Sequence, residues 1–444
     1  GRGNNYQRKR ELNKKINSLF NLKEYNATVK GEIIAGFTSF FAIVYIIAVN
    51  SSILSDAGLP LEGAIVATVL SSFVGCLIVA FIGNAPIIMV PGMGVNALFS
   101  YTIAGSMGLS WQQALAAVFI SGIVFSIVAF TKLATILTES IPTSLKEAIT
   151  VGIGLFITFI GLQKSGIIIN SPKTFVALGH LNEPQVYVTF INLVITLVLF
   201  IMEVPGNFLI SMIGGTVIAY FFGLVDISQL AFSGFSLSSY KQVFLAMDFS
   251  NIASLSFWIA VFSLTLVLVF ENLGLLHGQI NVMLKEPDKY KKSFKACALS
   301  AITCGVLGTS PTVATIETAA GIAAGGRTGL TSIVTGFLFL LSLFFLPLIK
   351  IIPNSAISPI LIIIGGLMMK NVLNIDFNDF SEGFPAFLTI IMVPLTFSIV
   401  DGMAFGFITY PIVKIASKKT KDVSIPMYII SVIFLINFIL HATP

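Results

Sequence analysis

The sequence predicts an all-α polytopic membrane protein of two inverted seven-span repeats, about 14 spans in all. Three observations predict it. First, the chain has 444 residues, of which 56% are hydrophobic and only 10% charged, whereas an ordinary soluble globule is nearer a quarter charged. Apolar spans of roughly 20 residues then occupy nearly all of it, and no large soluble domain fits beside them. Second, two stretches at span positions, 85–108 and 308–327, lack an unbroken apolar run. Irregular backbone at membrane depth is tolerated only where it lines a cavity or is buried in protein. Third, Ile141-Pro-Thr-Ser followed by Gly154 recurs as Ile352-Pro-Asn-Ser followed by Gly365 at one constant offset. The broken spans fall third in each run of seven, and two copies of an odd-span unit insert with opposite orientation.

Taken in order, residues 1–31 are polar and carry Arg2, Arg8, Lys9, Arg10, Lys14, Lys15, Lys23 and Lys30 against few acids. The positive-inside rule keeps this end in the cytoplasm. Span 1 (33–54) contains Thr38, Tyr45 and Asn50, and span 2 covers 63–82. The third segment reads APIIMVPGMGVNALFSYTIAGSMG. Pro86 and Pro91 bracket an extended 87–90, Gly92 and Gly94 permit a tight turn, and a short helix starts near Val95 and Asn96. As a helix, 94–107 reaches only about 21 Å, less than the roughly 30 Å hydrocarbon core. Spans 4 (113–130), 5 (144–162), 6 (186–202) and 7 (208–224) follow, then a polar connection to about Ser250. Span 8 (252–276) ends in FENLGLLHG, which places Glu271 and Asn272 inside an apolar helix and His277 near its end.

Span 9 (294–307) leads into the second broken stretch, GTSPTVATIETAAGIAAGGR. Pro311 opens a β-branched run, 312–316, that favours extended backbone and ends on Ile316; the small residues 318–324 favour a helix, and Glu317 sits at the join. Spans 11 (330–348), 12 (357–369), 13 (384–400) and 14 (403–416) complete the second run. The lysine clusters at 285–295 and 414–421 fall on the cytoplasmic side, as span parity requires. A last apolar segment, 425–440, leaves two readings: it lacks the charged face of an interfacial helix, yet a fifteenth crossing puts the chain end outside.

The net charge of +5 comes from basic residues gathered at the chain start and in connections, which reads as topogenic charge and not as a nucleic-acid surface. Cys76, Cys297 and Cys304 are odd in number and lie in or beside apolar segments, so no disulfide framework is expected. The first apolar segment is too long for a cleavable signal and lacks a cleavage site after it. No HExxH zinc motif or paired-Asp motif lies in the spans, which argues against an intramembrane enzyme.

The chemistry concentrates at the broken spans. Inverted symmetry brings both half-helix starts to mid-depth, each with unpaired N–H groups and a partial positive charge, suited to a carbonyl oxygen or ring nitrogen on a ligand. Glu317 sits at one start, Gly94 and Asn96 at the other, and Glu271 is the third polar group. Carboxylates accept from N–H donors while an Asn amide both donates and accepts, a set that fits the edge of a purine or pyrimidine base. Burial makes Glu271 and Glu317 candidate proton carriers, with a proton favoured over sodium as coupling ion and no other cofactor or metal expected. Tyr45 and Phe41 are candidates to stack on the ring, set against ordinary membrane packing.

These motifs resemble the AzgA-type purine permeases of the nucleobase/cation symporter (nucleobase-ascorbate transporter) superfamily. The resemblance is carried by PGMGVNALFSYT from Pro91, WQQALAAVFISGI from Trp111, GTSPTVATIETAAGIAAGGRTGL from Gly308 and PLTFSIVDGMAFGFITY from Pro394. It implies a core domain in two parts (32–131 and 252–350) and a gate domain in two parts (132–251 and 351–424), after the basic 1–31 and before the extra segment 425–444. It also implies proton-coupled purine uptake across the cell membrane by an elevator motion, binding at Asn96, Glu271 and Glu317, and a homodimer through the gate. Where typical members read Asp-Thr-Thr-Gly-Thr, this chain reads Glu271-Asn272-Leu273-Gly274-Leu275. Leu275 removes a hydroxyl from the pocket and leaves the preferred purine open, with uracil, xanthine or a small organic anion as alternative cargo.

Overall fold

An N–H or C=O group left unpaired in hydrocarbon costs several kcal/mol, and a chain this apolar satisfies its backbone internally by forming helices. The computed structural model describes residues 1–230 and 237–442; residues 231–236 of the connection after span 7, and residues 443–444 of the last segment, lie outside it. The chain opens with α1 (Arg2–Phe20), a polar helix where the sequence reading expected only a polar segment. Helix α2 (Val29–Ile43) starts on the side chain of Thr28, which accepts from the Gly31 N–H at 3.0 Å. It gives way at Tyr45 to α3 (Ile46–Asp56), so span 1 is two helices joined near mid-depth. Next come α4 (Leu61–Ile78), continued by a π-helical turn to Gly83, and β1 (Met89–Pro91).

Helix α5 (Val95–Ala97) continues as π-helix to Ser106. The next elements are α6 (Trp111–Phe130), capped reciprocally by Ser110 and Gln113, the short α7 (Leu133–Ser140) and α8 (Thr143–Lys164). A hairpin of β2 (Ile168–Ser171) and β3 (Phe175–Leu178) separates α8 from α9 (Pro184–Ile201) and α10 (Asn207–Phe221). Helix α11 (Leu255–Leu276) does not end near His277 as expected; it runs on through π-helical turns to Leu284. The remainder is α12 (Tyr290–Leu307), β4 (Thr312–Ala314), α13 (Thr318–Ala323), α14 (Gly329–Leu341), α15 (Leu346–Lys350), α16 (Asn354–Met368), α17 (Phe380–Thr396), α18 (Ile399–Ala416) and α19 (Ile425–Ala442). Among the described residues, 10 helical stretches are long and apolar enough to cross a membrane, and α10 and α17 are shorter apolar helices.

The helices pack in two groups. In one, α12 lies on α6 and α4, and α14 lies on α2 and α4; in the other, α8 packs on α16 and α17, with α9 and α10 beside α16. Gly154 and Gly365, the glycines matched by the internal repeat, face each other where α8 crosses α16. A Cβ built on Gly365 meets the Gly154 carbonyl oxygen at 2.4 Å, and one on Gly154 meets the Gly365 carbonyl oxygen at 2.8 Å. Only glycine allows that approach.

Helix α19, the open segment, is long and apolar enough to cross a membrane. At its start the Ser424 hydroxyl donates to the Ser140 carbonyl at the end of α7, and at its far end a His441 ring nitrogen lies 2.9 Å from the Ser256 hydroxyl at the start of α11. Its 18 residues extend about 27 Å.

Candidate functional site

The two broken spans meet as a buried two-stranded ribbon. Strands β1 and β4 pair antiparallel, with Met89 opposite Ala314, Val90 opposite Val313 and Pro91 opposite Thr312. Both strands were expected as extended segments; their pairing across more than two hundred residues was not. A ribbon at this depth has two raw edges, and side chains from neighbouring helices close them. Asn272 of α11 accepts from the Ala314 N–H at 2.9 Å, and Gln279 donates to the Thr315 carbonyl at 2.6 Å. The Thr318 hydroxyl accepts from the Ile88 N–H at 3.0 Å, and Cys304 accepts from the Thr312 N–H at 3.3 Å. These partners do for the ribbon what water does at an exposed sheet edge.

Each strand leads within a few residues into its half-helix, and the antiparallel pairing sends the two half-helices in opposite directions. Glu317 occupies the position just before α13, yet its side chain makes no capping bond. It turns instead to span 1, where the Tyr45 hydroxyl donates to its Oε1 at 2.6 Å. Tyr45 is 1% exposed, and the ring of Phe208 on α10 meets it edge-on at 5.1 Å. Beyond the end of α13, the Arg327 guanidinium donates back to the carbonyls of Ile322 and Gly326 at 2.7 Å.

Asn96 sits in the first turn of α5 and is fully buried. Its Nδ2 donates to Asn50 Oδ1 at 3.1 Å, and its Oδ1 accepts from the Gly94 N–H at 3.3 Å. The structure therefore leaves Asn96 buried with its amide engaged by protein. Gly94 has φ +101° and presses on α8, since a Cβ there meets Ile153 Cγ2 at 2.9 Å.

Asn50 is the hub that the sequence reading passed over. Its Nδ2 donates to Thr68 at 2.9 Å and Thr309 at 3.2 Å, while its Oδ1 accepts from Asn96 and from the Ser310 hydroxyl at 3.3 Å. One short helix, α3, with the residue before it, thus reaches both half-helix starts, through Tyr45 to Glu317 and through Asn50 to Asn96. The available signal was a lone Asn in an apolar span, where an amide needs several partners. Asn272 and Gln279 carried the same signal.

Glu271 lies beside Asn272 on α11, and Asn272 holds Ala314, three residues before Glu317. It is half-buried and has no hydrogen bond or ion pair among the described residues. A carboxylate in that position on a membrane helix is a functional group by default. Leu275, one turn on, packs against the main apolar core. Ile316 is 67% exposed beside Glu317, and Phe41 is 49% exposed on α2. The structure thus holds two hydrogen-bonded sets, Tyr45 with Glu317 and Asn50 with Asn96 and Gly94, joined through α3 with α11 alongside, and leaves Phe41 one helical turn from Tyr45.

With this geometry in view, comparison with known proteins is informative. A family model described as a permease family matches residues 30–405. The nucleobase transporter PlAzg2 of Paenibacillus larvae is 50% identical over 380 residues, 85% of this chain and 76% of that protein. The guanine/hypoxanthine permease PbuO of Bacillus subtilis is 40% identical, with 94% of this chain and 99% of that protein covered. The adenine permease AdeP of Escherichia coli is 32% identical, with 96% of both chains covered. The chain belongs to the permease family, in agreement with the AzgA-type resemblance of its motifs, and is a membrane transporter and not an enzyme.

Among solved structures, the transmembrane domain of a cyanobacterium bicarbonate transporter, BicA, aligns with TM-score 0.62 at 15% identity over 84% of this chain and 97% of that one. SLC26A9 aligns with TM-score 0.66 at 12% identity over 89% and 66%. At such identity the likeness concerns the fold alone.

Proposed function

We propose that this protein is a secondary active transporter that takes up purine nucleobases of the adenine, hypoxanthine and guanine class together with protons. Glu317 and Glu271 grip the base edge, Tyr45 orients Glu317, and one of the two carboxylates carries the proton. Asn96 and Gly94 shape the opposite wall. The observation that carries this reading is the Tyr45–Glu317 hydrogen bond, which ties an acid at a half-helix start to span 1, with unpartnered Glu271 on the adjoining helix. The names of the relatives support the substrate class, and guanine or hypoxanthine is favoured over adenine because PbuO is the more similar of the two bacterial permeases.

Transport proceeds as an elevator in this reading. The group of helices that carries the ribbon moves against the group around α8 and α16, and two inverted seven-span units with α19 added make up the fold. The Gly154–Gly365 crossing supports the repeat, since matched positions that meet face to face are what a pseudo-two-fold axis gives. The N-terminus lies in the cytoplasm of a cell membrane by the positive-inside rule, and a homodimer forms through the gate.

The test is uptake of radiolabelled purines into proteoliposomes. An inward proton gradient should drive accumulation, a protonophore should abolish it, and unlabelled guanine or hypoxanthine should compete better than uracil or xanthine. Accumulation that ignores the proton gradient would overturn the coupling, and better competition by uracil would overturn the substrate class.

A further inference from the structure

We propose that the groove between α2 and the start of α10 is a binding site for one anionic phospholipid, its acyl chain in the groove and its phosphate at Lys30. The groove has a volume of about 740 Å³ and is walled by Ile33, Ile34, Phe37 and Phe41 of α2, by Pro205 and Gly206, and by Ala320 of α13. Thr38, the one polar side chain among them, spends its hydroxyl on the Ile34 carbonyl at 2.9 Å. Nothing in that wall can pair with a polar solute.

Depth identifies the occupant. From Ile33 to Ala42 the lining rises nine residues along α2, about 14 Å at 1.5 Å per residue, which is close to half of the roughly 30 Å hydrocarbon core. That is the reach of an acyl chain from one leaflet. At the mouth, Lys30 lies on the stripe that Ile34, Phe37 and Phe41 continue, at i, i+4, i+7 and i+11. It is exposed and has no ion pair or hydrogen bond among the described residues. A cation standing at headgroup level over an apolar channel one leaflet long is complementary to an anionic phospholipid. Ala320, one turn beyond Glu317, lines the channel, so the acyl chain would lie between the ribbon-bearing group and α10. The inference rests on membrane embedding and not on purine transport, so loss of the transport reading leaves it standing.

Native mass spectrometry of the full chain in mild detergent tests it, with palmitoyl-oleoyl phosphatidylglycerol and the phosphatidylcholine of the same chains as probes. The wild type should retain one phosphatidylglycerol with about 5-fold preference, the discrimination that one lysine near an anionic surface confers. Lys30→Gln should bring the two lipids to parity while still retaining one of either. Thr38→Phe, which fills the groove, should lose both adducts while melting at the wild-type temperature. Equal retention of the two lipids by the wild type, or undiminished phosphatidylglycerol retention by Thr38→Phe, would overturn the proposal. So would slowed purine uptake in Thr38→Phe with lipid retention unchanged, which would make the groove a solute path.

Discussion

Tyr45→Phe is the substitution that separates a functional Glu317 from a merely buried one. The ring stays, so its packing on Phe208 at 5.1 Å and its burial are preserved, and only the donor 2.6 Å from Glu317 Oε1 is lost. A hydrogen bond to a charged group contributes about 1.5–3 kcal/mol. Part of that loss also falls on the ligand-free protein, which leaves about 1.4 kcal/mol, or a tenfold change, as the expected effect on substrate binding. The assay is guanine and hypoxanthine uptake into proteoliposomes over a concentration series, with the melting temperature followed in parallel. A KM raised about tenfold in a protein that melts like the wild type supports the reading. Wild-type KM and maximal rate for each purine that the parent transports would refute it, because the hydrogen bond from Tyr45 to Glu317 would then be irrelevant to its work.

Two further predictions concern the packing around the site. Asp56 joins the two helix groups at the end of α3, accepting from Lys164 at 2.5 Å and from Tyr101 at 2.6 Å, and an exposed pair of this kind contributes up to about 1 kcal/mol. Thr102, in the π-helix after α5, is buried and accepts from the Ile399 N–H of α18 at 3.0 Å, so Asp56→Asn should raise labelling of a Thr102→Cys probe by a membrane-impermeant maleimide about 5-fold; the native cysteines are buried and give little background. Unchanged labelling would show that this contact holds nothing closed. At the α8–α16 crossing, Gly365→Val drives a side chain into the Gly154 backbone, and overpacking of this kind costs about 1–3 kcal/mol or more. A clear fall in melting temperature is expected, and wild-type melting would contradict the close approach.

Much of this architecture was legible from local chemistry. Proline and glycine at Pro86, Pro91, Gly92 and Gly94, and the β-branched run after Pro311, marked both broken spans to within a few residues of where β1 and β4 form. Hydropathy placed the ordinary spans because lipid permits little besides helix. What escaped the sequence depends on contacts between distant segments. The pairing of Met89 with Ala314, the Asn50–Asn96 bond and the Tyr45–Glu317 bond each join residues more than forty positions apart, and no local period encodes them. The overrun of α11 past His277 was missed for a different reason. Polar residues such as Gln279 read as a helix end by composition, whereas in place Gln279 closes the ribbon edge at Thr315. Asn96 shows the converse: its residue type suits a ligand, but its amide is taken up by Asn50 and Gly94.

The central claim is that Glu271 and Glu317 together hold the base, and calorimetric titration of the purified chain with guanine and hypoxanthine tests it most directly. The wild type should bind one base per chain, and Glu271→Gln combined with Glu317→Gln should abolish measurable binding while the protein still melts cooperatively. Binding by the double variant at wild-type affinity would contradict the account.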